Sequence, residues 1–528
     1  MTASVSKPNM VLVALALALA ATSCARGRRT PDDTLVVLID SEVPEVDPRY
    51  EISAAQNKIS RLCAAGLTAV DRVGLEPRFL LAESATALDP LTWEIVLRPE
   101  ARFPDGSPVT GADVAFTFMS ALDPKLESPK RKSWNERFVS VEAVPGEPRR
   151  VRFHLKQPLA TFLSDIDFGI VSRTAALAAG HGGRFPGGFT VGAGAYTPVR
   201  IEPGLVVLER NPYYLEGVPP LRRVVVRTVR DANARLLMLV GGSADFTQNT
   251  VRMDLVDEVA RRPRLRTQTG ASALLTYLMM QNDDPILRDV RVRHAIALAI
   301  DRDKLIRGKF GGHAVRATGL LPPSHWAYAG DVARYDYDPE AARRLLDQAG
   351  YPDPDGPGGR PRFSLTYKTS TEIFRIALAR LIAQDLARVG IDVEVRSFEF
   401  ATLIADLKKG NFQLSALQTS EIVEPDMHWV YFHSSRIPSK EFPDNLNRCH
   451  YRSPEADQLI EAGRYELDHD KRKLIYARLQ RLVAEDLPLL PLWHEDNVAV
   501  TNRDVEGYVV VPNARLTPIA AVRKRHAN

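Results

Sequence analysis

Residues 289–306, DVRVRHAIALAIDRDKLI, read as two helices meeting at one sharp corner. Asp289 stands at an N-cap. Val292, Ala295, Ile296, Ala299 and Ile300 then recur at the spacing of one buried helical stripe, flanked by Arg291, Arg293 and His294 on what the pattern makes a polar face. Asp301 follows where a second N-cap belongs, its carboxylate able to accept from the backbone N–H groups of Asp303 and Lys304. Alone, the pattern predicts a buried amphipathic helix in a large protein.

The rest of the chain sets bounds on that protein. It has 528 residues, 45% hydrophobic and 25% charged, which suits a globular chain with room for about three domain-sized units. Its 69 basic and 65 acidic residues leave a formal charge of +4, too near balance for a nucleic-acid footprint. Lys7 precedes an apolar run from Met10 to Ala21 that is too short to span a bilayer, so residues 1–23 read as a signal peptide and 24–33 as a tether. Ala21-Thr22-Ser23-Cys24 resembles a lipobox, with Cys24 as the lipidated N-terminus; ordinary signal cleavage is the alternative. Export follows either way. The mature body then keeps Cys63 and Cys449, with no CxxC metal motif.

Working along the mature chain, residues 34–39 (TLVVLI) form the first strand candidate, and 91–98 (LTWEIVLR) alternate as another. A turn at Pro104-Asp105-Gly106 leads to Thr110-Gly111-Ala112-Asp113, which has capping-box spacing and opens a helix. Gly192-Ala193-Gly194-Ala195-Tyr196-Thr197 lacks the third glycine of a dinucleotide fingerprint and runs into strand patterns, so a nucleotide site is discounted. From residue 363 a strand, a helix ended by Gly390 and a second strand give the β-α-β order of a parallel sheet.

Two stretches carry a family resemblance. Residues 290–306, with 93–118 (WEIVLRPEARFPDGSPVTGADVAFTF), resemble the family 5 extracytoplasmic solute-binding proteins, the peptide and nickel receptors of ABC importers. The resemblance implies an α/β, two-lobe periplasmic-binding-protein fold of type II, in the class with an extra subdomain in the first lobe. Lobe I would occupy 34–270, with the subdomain at about 50–187; lobe II would occupy 271–487, and 488–528 would return to lobe I. Two crossings, near Gly270 and near Pro488, would join the lobes. Cys63 and Cys449 would then sit in different lobes as buried thiols.

Ligand chemistry is expected in residues 411–432, NFQLSALQTSEIVEPDMHWVYF. Peptide-binding relatives carry a Trp, then an Asp that takes the peptide ammonium, then an acidic residue and Pro. Aligning on Glu424-Pro425 places Glu421 at the ammonium position and Gln418 at the Trp, with Thr419 and Ser420 between them. A solvated loop glutamate is the bland alternative. Thr369 stands where dipeptide-selective relatives place a carboxylate-binding Arg, which argues against a strict dipeptide clamp. Ile52, Ser53 and Ala54 would pair with ligand backbone from lobe I. Trp493 and His494 would line the cleft wall, although Trp493 reads equally well as a core aromatic.

The expected function is a membrane-anchored extracytoplasmic receptor that captures peptides and delivers them to the permease and ATPase subunits of an importer. A monomer with no cofactor and no metal site is expected, since His428 and His433 lack i,i+4 spacing. A non-peptide ligand such as a nickel chelate, haem, an opine or an oligosaccharide stays open. A hydrolase is the remote alternative, with no GxSxG, HExxH or P-loop motif to support it.

Overall fold

The computed structural model describes residues 30–356, 359–419 and 421–525; Cys24, the expected signal peptide and Ser420 lie outside them. Strand β1 (Thr34–Ile39) is buried along nearly its whole length. Helix α1 (Ala54–Cys63) starts at a capping box. The Ser53 hydroxyl accepts from the Gln56 N–H at 3.2 Å, and Gln56 Oε1 accepts from the Ser53 N–H at 3.1 Å, so two orphan donors of the helix start are satisfied. A subdomain follows, in which β2 (Ala82–Asp89), β3 (Thr92–Leu97), β4 (Phe138–Ala143) and β5 (Arg150–Leu155) form an antiparallel sheet ordered β2-β3-β5-β4. Helix α2 (Gly111–Leu122) covers it with Phe118, stacked on Trp134 at 4.7 Å and set edge-on to Phe153 at 5.0 Å.

The chain then returns through β6 (Tyr196–Glu202), β7 (Leu205–Arg210) and β8 (Arg223–Thr228), the last parallel to β1. The glycine-rich turn before β6 packs on the end of α1: a Cβ on Gly194 would lie 2.4 Å from the Leu62 carbonyl oxygen. Close backbone approach explains those glycines. Strand β9 (Phe246–Gln248) flanks β1 on its other side. β10 (Leu265–Ala271) and β11 (Thr276–Met280) carry the chain out of lobe I.

Lobe II opens with α3 (Val290–Ala299) and α4 (Arg302–Phe310), capped by Asp289 and Asp301 as expected. Asp301 accepts from the Lys304 N–H at 2.8 Å, and among the described residues it takes no bond from Asp303. Arg293 departs from the expected polar face. It is buried, and its guanidinium donates to the carbonyls of Leu287 (2.9 Å), Arg288 (2.9 Å) and Leu487 (3.0 Å). The guanidinium thus satisfies orphan carbonyls, among them one just past a helix terminus. β12 (Ala314–Arg316) follows. β13 (Phe363–Ser370), α5 (Ile373–Ala387) and β14 (Ile391–Phe398) form the expected parallel β-α-β unit, and β15 (Leu414–Gln418) pairs with β11. Helix α6 (His469–Asp486) leads into β16 (Leu489–Asn502).

β16 belongs to both lobes. Up to Glu495 it pairs with β11 and β12, and from Asp496 onward with β9 and β10. One twelve-stranded sheet therefore runs through the molecule, β14-β13-β15-β11-β16-β9-β1-β8-β7-β6, with β10 and β12 also on β16. The crossing expected near Pro488 is displaced to Glu495–Asp496, because Leu489 to Trp493 still extend the lobe II ladder. Beside that crossing, buried Asn497 donates to the carbonyls of Val511 (2.8 Å) and Pro512 (2.9 Å) and accepts from Asn249 Nδ2 (2.8 Å). Cys63 and Cys449 are buried and unpaired, one in each lobe.

Candidate functional site

The lobes meet away from the crossings along a seam of charged side chains. From lobe I, α1 presents Lys58 and Arg61, three residues apart and so neighbours on one helical face. Arg61 pairs with Asp167 at 2.9 Å; the other Asp167 oxygen accepts from Arg515 and, at 3.3 Å, from the Val70 N–H. From lobe II, the loop after β15 brings Glu421 to this group. Burial pushes the Glu421 carboxyl above its ordinary range, against the pull of Arg515, Lys58 and Arg61, while Asp167 adds to the rise. Burial likewise lowers the Lys58 ammonium, opposed by Glu421 and Asp40. Three cations thus face two carboxylates in a sheltered place.

Two residues further on, Val423 packs on Val70, Leu75 and Ala273. Glu424 then bridges the lobes. Its carboxylate accepts from Ser164 of lobe I and, at 3.0 Å, from Arg472 of lobe II. The Trp326 N–H donates to the Gly74 carbonyl across the seam at 3.0 Å, and the Ala160 N–H donates to the Arg464 carbonyl at 3.2 Å. Arg464 also pairs with Asp426 at 3.0 Å and lies 3.7 Å over the Trp429 ring. The lobes are closed on one another.

The other anticipated residues fall into place differently. Gln418 is exposed and donates to Glu495 at 2.8 Å, an acid that Thr276 also reaches at 3.3 Å. Thr419 is buried; its hydroxyl accepts from the Leu275 N–H at 3.0 Å and its own N–H donates to the Leu275 carbonyl at 2.8 Å, so it stitches β15 to the crossing. Ile52, Ser53 and Ala54 are exposed, Ile52 at 80%. Their expected pairing with ligand backbone meets an obstacle, since the N–H groups of Ile52 and Ser53 already donate to Gln56.

Trp493 and His494 need correction as cleft-lining residues. Trp493 is 0% exposed in the lobe II core, its ring 5.2 Å from Phe310. His494 is buried too, with Nδ1 at 2.9 Å from the Leu274 carbonyl, and burial lowers its pKa to about 4. A strand buried on both faces gives both side chains to the interior. Lys58, Arg61, Asp167 and Arg515 were not anticipated. The Lys58 and Arg61 spacing marks a shared helix face, but nothing local connects that face to a loop more than three hundred residues away.

A two-lobed α/β binding fold, with a charged seam between lobes that share one sheet, is the class these features define. The solved structure of HbpA2 from Haemophilus parasuis has the same fold, with a TM-score of 0.82 at 21% identity over 93% of this chain and 100% of that one. Residues 76–437 match the bacterial extracellular solute-binding proteins, family 5, and the chain belongs to that family. It is the substrate-binding protein of an ABC importer. A probable di/tripeptide-binding protein of Pseudomonas aeruginosa is 29% identical over 76% of this chain and 77% of its own length. The glutathione-binding protein GsiB of Escherichia coli K12 is 25% identical over 97% and 98%.

Proposed function

We propose that the protein is an extracytoplasmic lipoprotein receptor for small peptides, anchored through Cys24, that encloses a peptide between its lobes and hands it to a membrane permease driven by ATPase subunits. The observation that carries the peptide reading is Glu421, a sheltered carboxylate on the lobe II wall facing lobe I. A free peptide ammonium there gains charge-assisted hydrogen bonds in a site that excludes water. The P. aeruginosa and E. coli relatives, named for di- or tripeptides and for glutathione, support it, since all of these ligands carry a free α-ammonium. A ligand touching both walls favours the closed lobes only to the extent of those contacts.

Calorimetry with trialanine tests this reading. Removing one member of a buried charge pair costs about 3–5 kcal/mol, so Glu421→Gln is expected to weaken binding by roughly two to four decades, at about 1.4 kcal/mol per tenfold. N-acetylating the peptide should do similar damage to the wild type and much less to the variant, because both changes remove one interaction. Full affinity for acetylated peptide, or additive losses, would overturn the assignment.

A further inference from the structure

Thr30, where the described chain begins, is fastened to lobe I. Its hydroxyl donates to Asp245 and accepts from Lys524 at 2.6 Å, and Lys524 also donates to the Pro31 carbonyl at 3.0 Å. Asp245 and Lys524 form an ion pair at 2.9 Å, both side chains 1% exposed, and Asp245 further accepts from the Val36 N–H of β1 at 2.7 Å. A buried pair of this kind is costly to break, so the chain enters lobe I at a fixed point.

Beside that point lies a hollow of about 230 Å³, lined among others by Thr30, Asp245, Arg264, Arg503 and Asp504. Arg264 and Arg503 are exposed, and the Arg503 N–H donates to the Arg264 carbonyl at 2.9 Å, which sets the two residues side by side. Arg261, three residues before Arg264, is exposed too. None of these three guanidiniums meets a carboxylate among the described residues; Arg503 commits only its Nε, to the Leu265 carbonyl at 3.1 Å. Given the lipid anchor proposed above, Cys24 lies six residues from Thr30, at most about 22 Å of extended chain. This face is thereby held within a few Debye lengths of the bilayer, about 8 Å each at physiological salt. Arg26, Arg28 and Arg29 add cations in the interval. We propose that the face of lobe I around Thr30, with Arg261, Arg264 and Arg503, rests on the headgroups of anionic phospholipid. Lobe I is then the membrane-seated half, and lobe II the half that moves.

Sedimentation with lipid vesicles tests it, on the mature chain from residue 24 carrying Cys24→Ala so that no acyl chain contributes. Binding is expected to vesicles of equal parts phosphatidylglycerol and phosphatidylcholine and not to phosphatidylcholine alone, and is lost at about 1 M salt, where the Debye length is about 3 Å. Arg264→Gln with Arg503→Gln should weaken it about thirtyfold, or about fivefold per arginine. Removing the same charge from exposed sites on lobe II, by Arg344→Gln with Arg380→Gln, should change it less than about twofold. Unchanged thermal melting shows that each variant folds. Equal losses from the two pairs would mean that net charge alone is at work, and no loss from the lobe I pair would leave its arginines to a protein partner; either overturns the proposal. So does equal binding to the two kinds of vesicle, or binding to neither. Mass spectrometry of the membrane-extracted protein tests the anchor separately. An unacylated Cys24 fails the anchor reading and takes this one with it, whereas an acylated Cys24 with indifferent arginines overturns this proposal alone.

Discussion

The lobes touch in two regions built from opposite materials. At the crossings the contact is made by the backbone itself: β16 steps from its ladder with β11 to its ladder with β10, and just past the step the half-buried Asn249 amide bonds the buried Asn497, which also donates to the carbonyls of Val511 and Pro512. At the seam it is ionic, through Glu421, Glu424 and Arg472 against Lys58, Ser164 and the Asp167 cluster. Neutral buried amides are expensive to leave unpaired, so their contact suits a joint that never opens. Charges recover hydration when a seam parts, which offsets much of what the pairing gave. The molecule thus builds its permanent joint from backbone ladders and paired amides and makes its reversible contact from groups at ease in water.

Breaking the packing on either side of the permanent joint should unfold the protein, with little change in how the lobes close. The largest effect is expected from Trp493→Ala, which opens a cavity in the lobe II core beside Phe310 and should lower stability by about 3–5 kcal/mol. Urea denaturation measures it; a loss below about 1 kcal/mol would return Trp493 to the cleft wall. Next comes Asn497→Leu, which strips two carbonyls of their donor and Asn249 of its acceptor. A loss of about 2–4 kcal/mol is expected, from penalties of about 1–3 per unsatisfied group softened by local relaxation. If Asn497→Leu instead left stability intact and shifted only the radius of gyration, the joint and the seam would not be separate devices.

The same contrast explains what the sequence could reveal. The caps at Ser53, Asp289 and Asp301 act over three or four residues and are legible in any single chain. So was the β-α-β unit, whose helix and strands differ in period. Arg293 was misread because its partners at Asp486 and Leu487 lie nearly two hundred residues away. Trp493 and His494 were assigned to the cleft on resemblance, but a strand shared by both lobes hides its side chains on either face. Within the seam, Glu421 was singled out on resemblance, by its position before Glu424-Pro425, whereas Lys58, Arg61, Asp167 and Arg515 gather only once the chain has folded across its full length. A charge seam between lobes leaves no local pattern to read.

The smallest expected effect is a pH dependence of closure, and it belongs to the seam alone. Glu424 is buried partly by lobe I, and that burial raises its carboxyl above the ordinary 4.5 despite Arg472 and Ser164, with Asp165 adding to the rise. Glu421 is raised in the same way. A carboxyl whose pKa is higher in the closed form than in the hydrated open form binds its proton more tightly when closed. Closure is therefore favoured as pH falls from neutrality through the raised value, gains nothing further below the ordinary 4.5, and is weakened again as pH rises. Small-angle scattering of the ligand-free protein should show a smaller radius of gyration at about pH 5 than at about pH 7.5. Glu424→Gln should flatten the slope by removing one titrating group, while leaving the urea midpoint nearer to wild type than either joint variant does. A radius that grows on acidification would mean that the ion pair with Arg472 outweighs burial, and that the seam is held by charge rather than tolerating it.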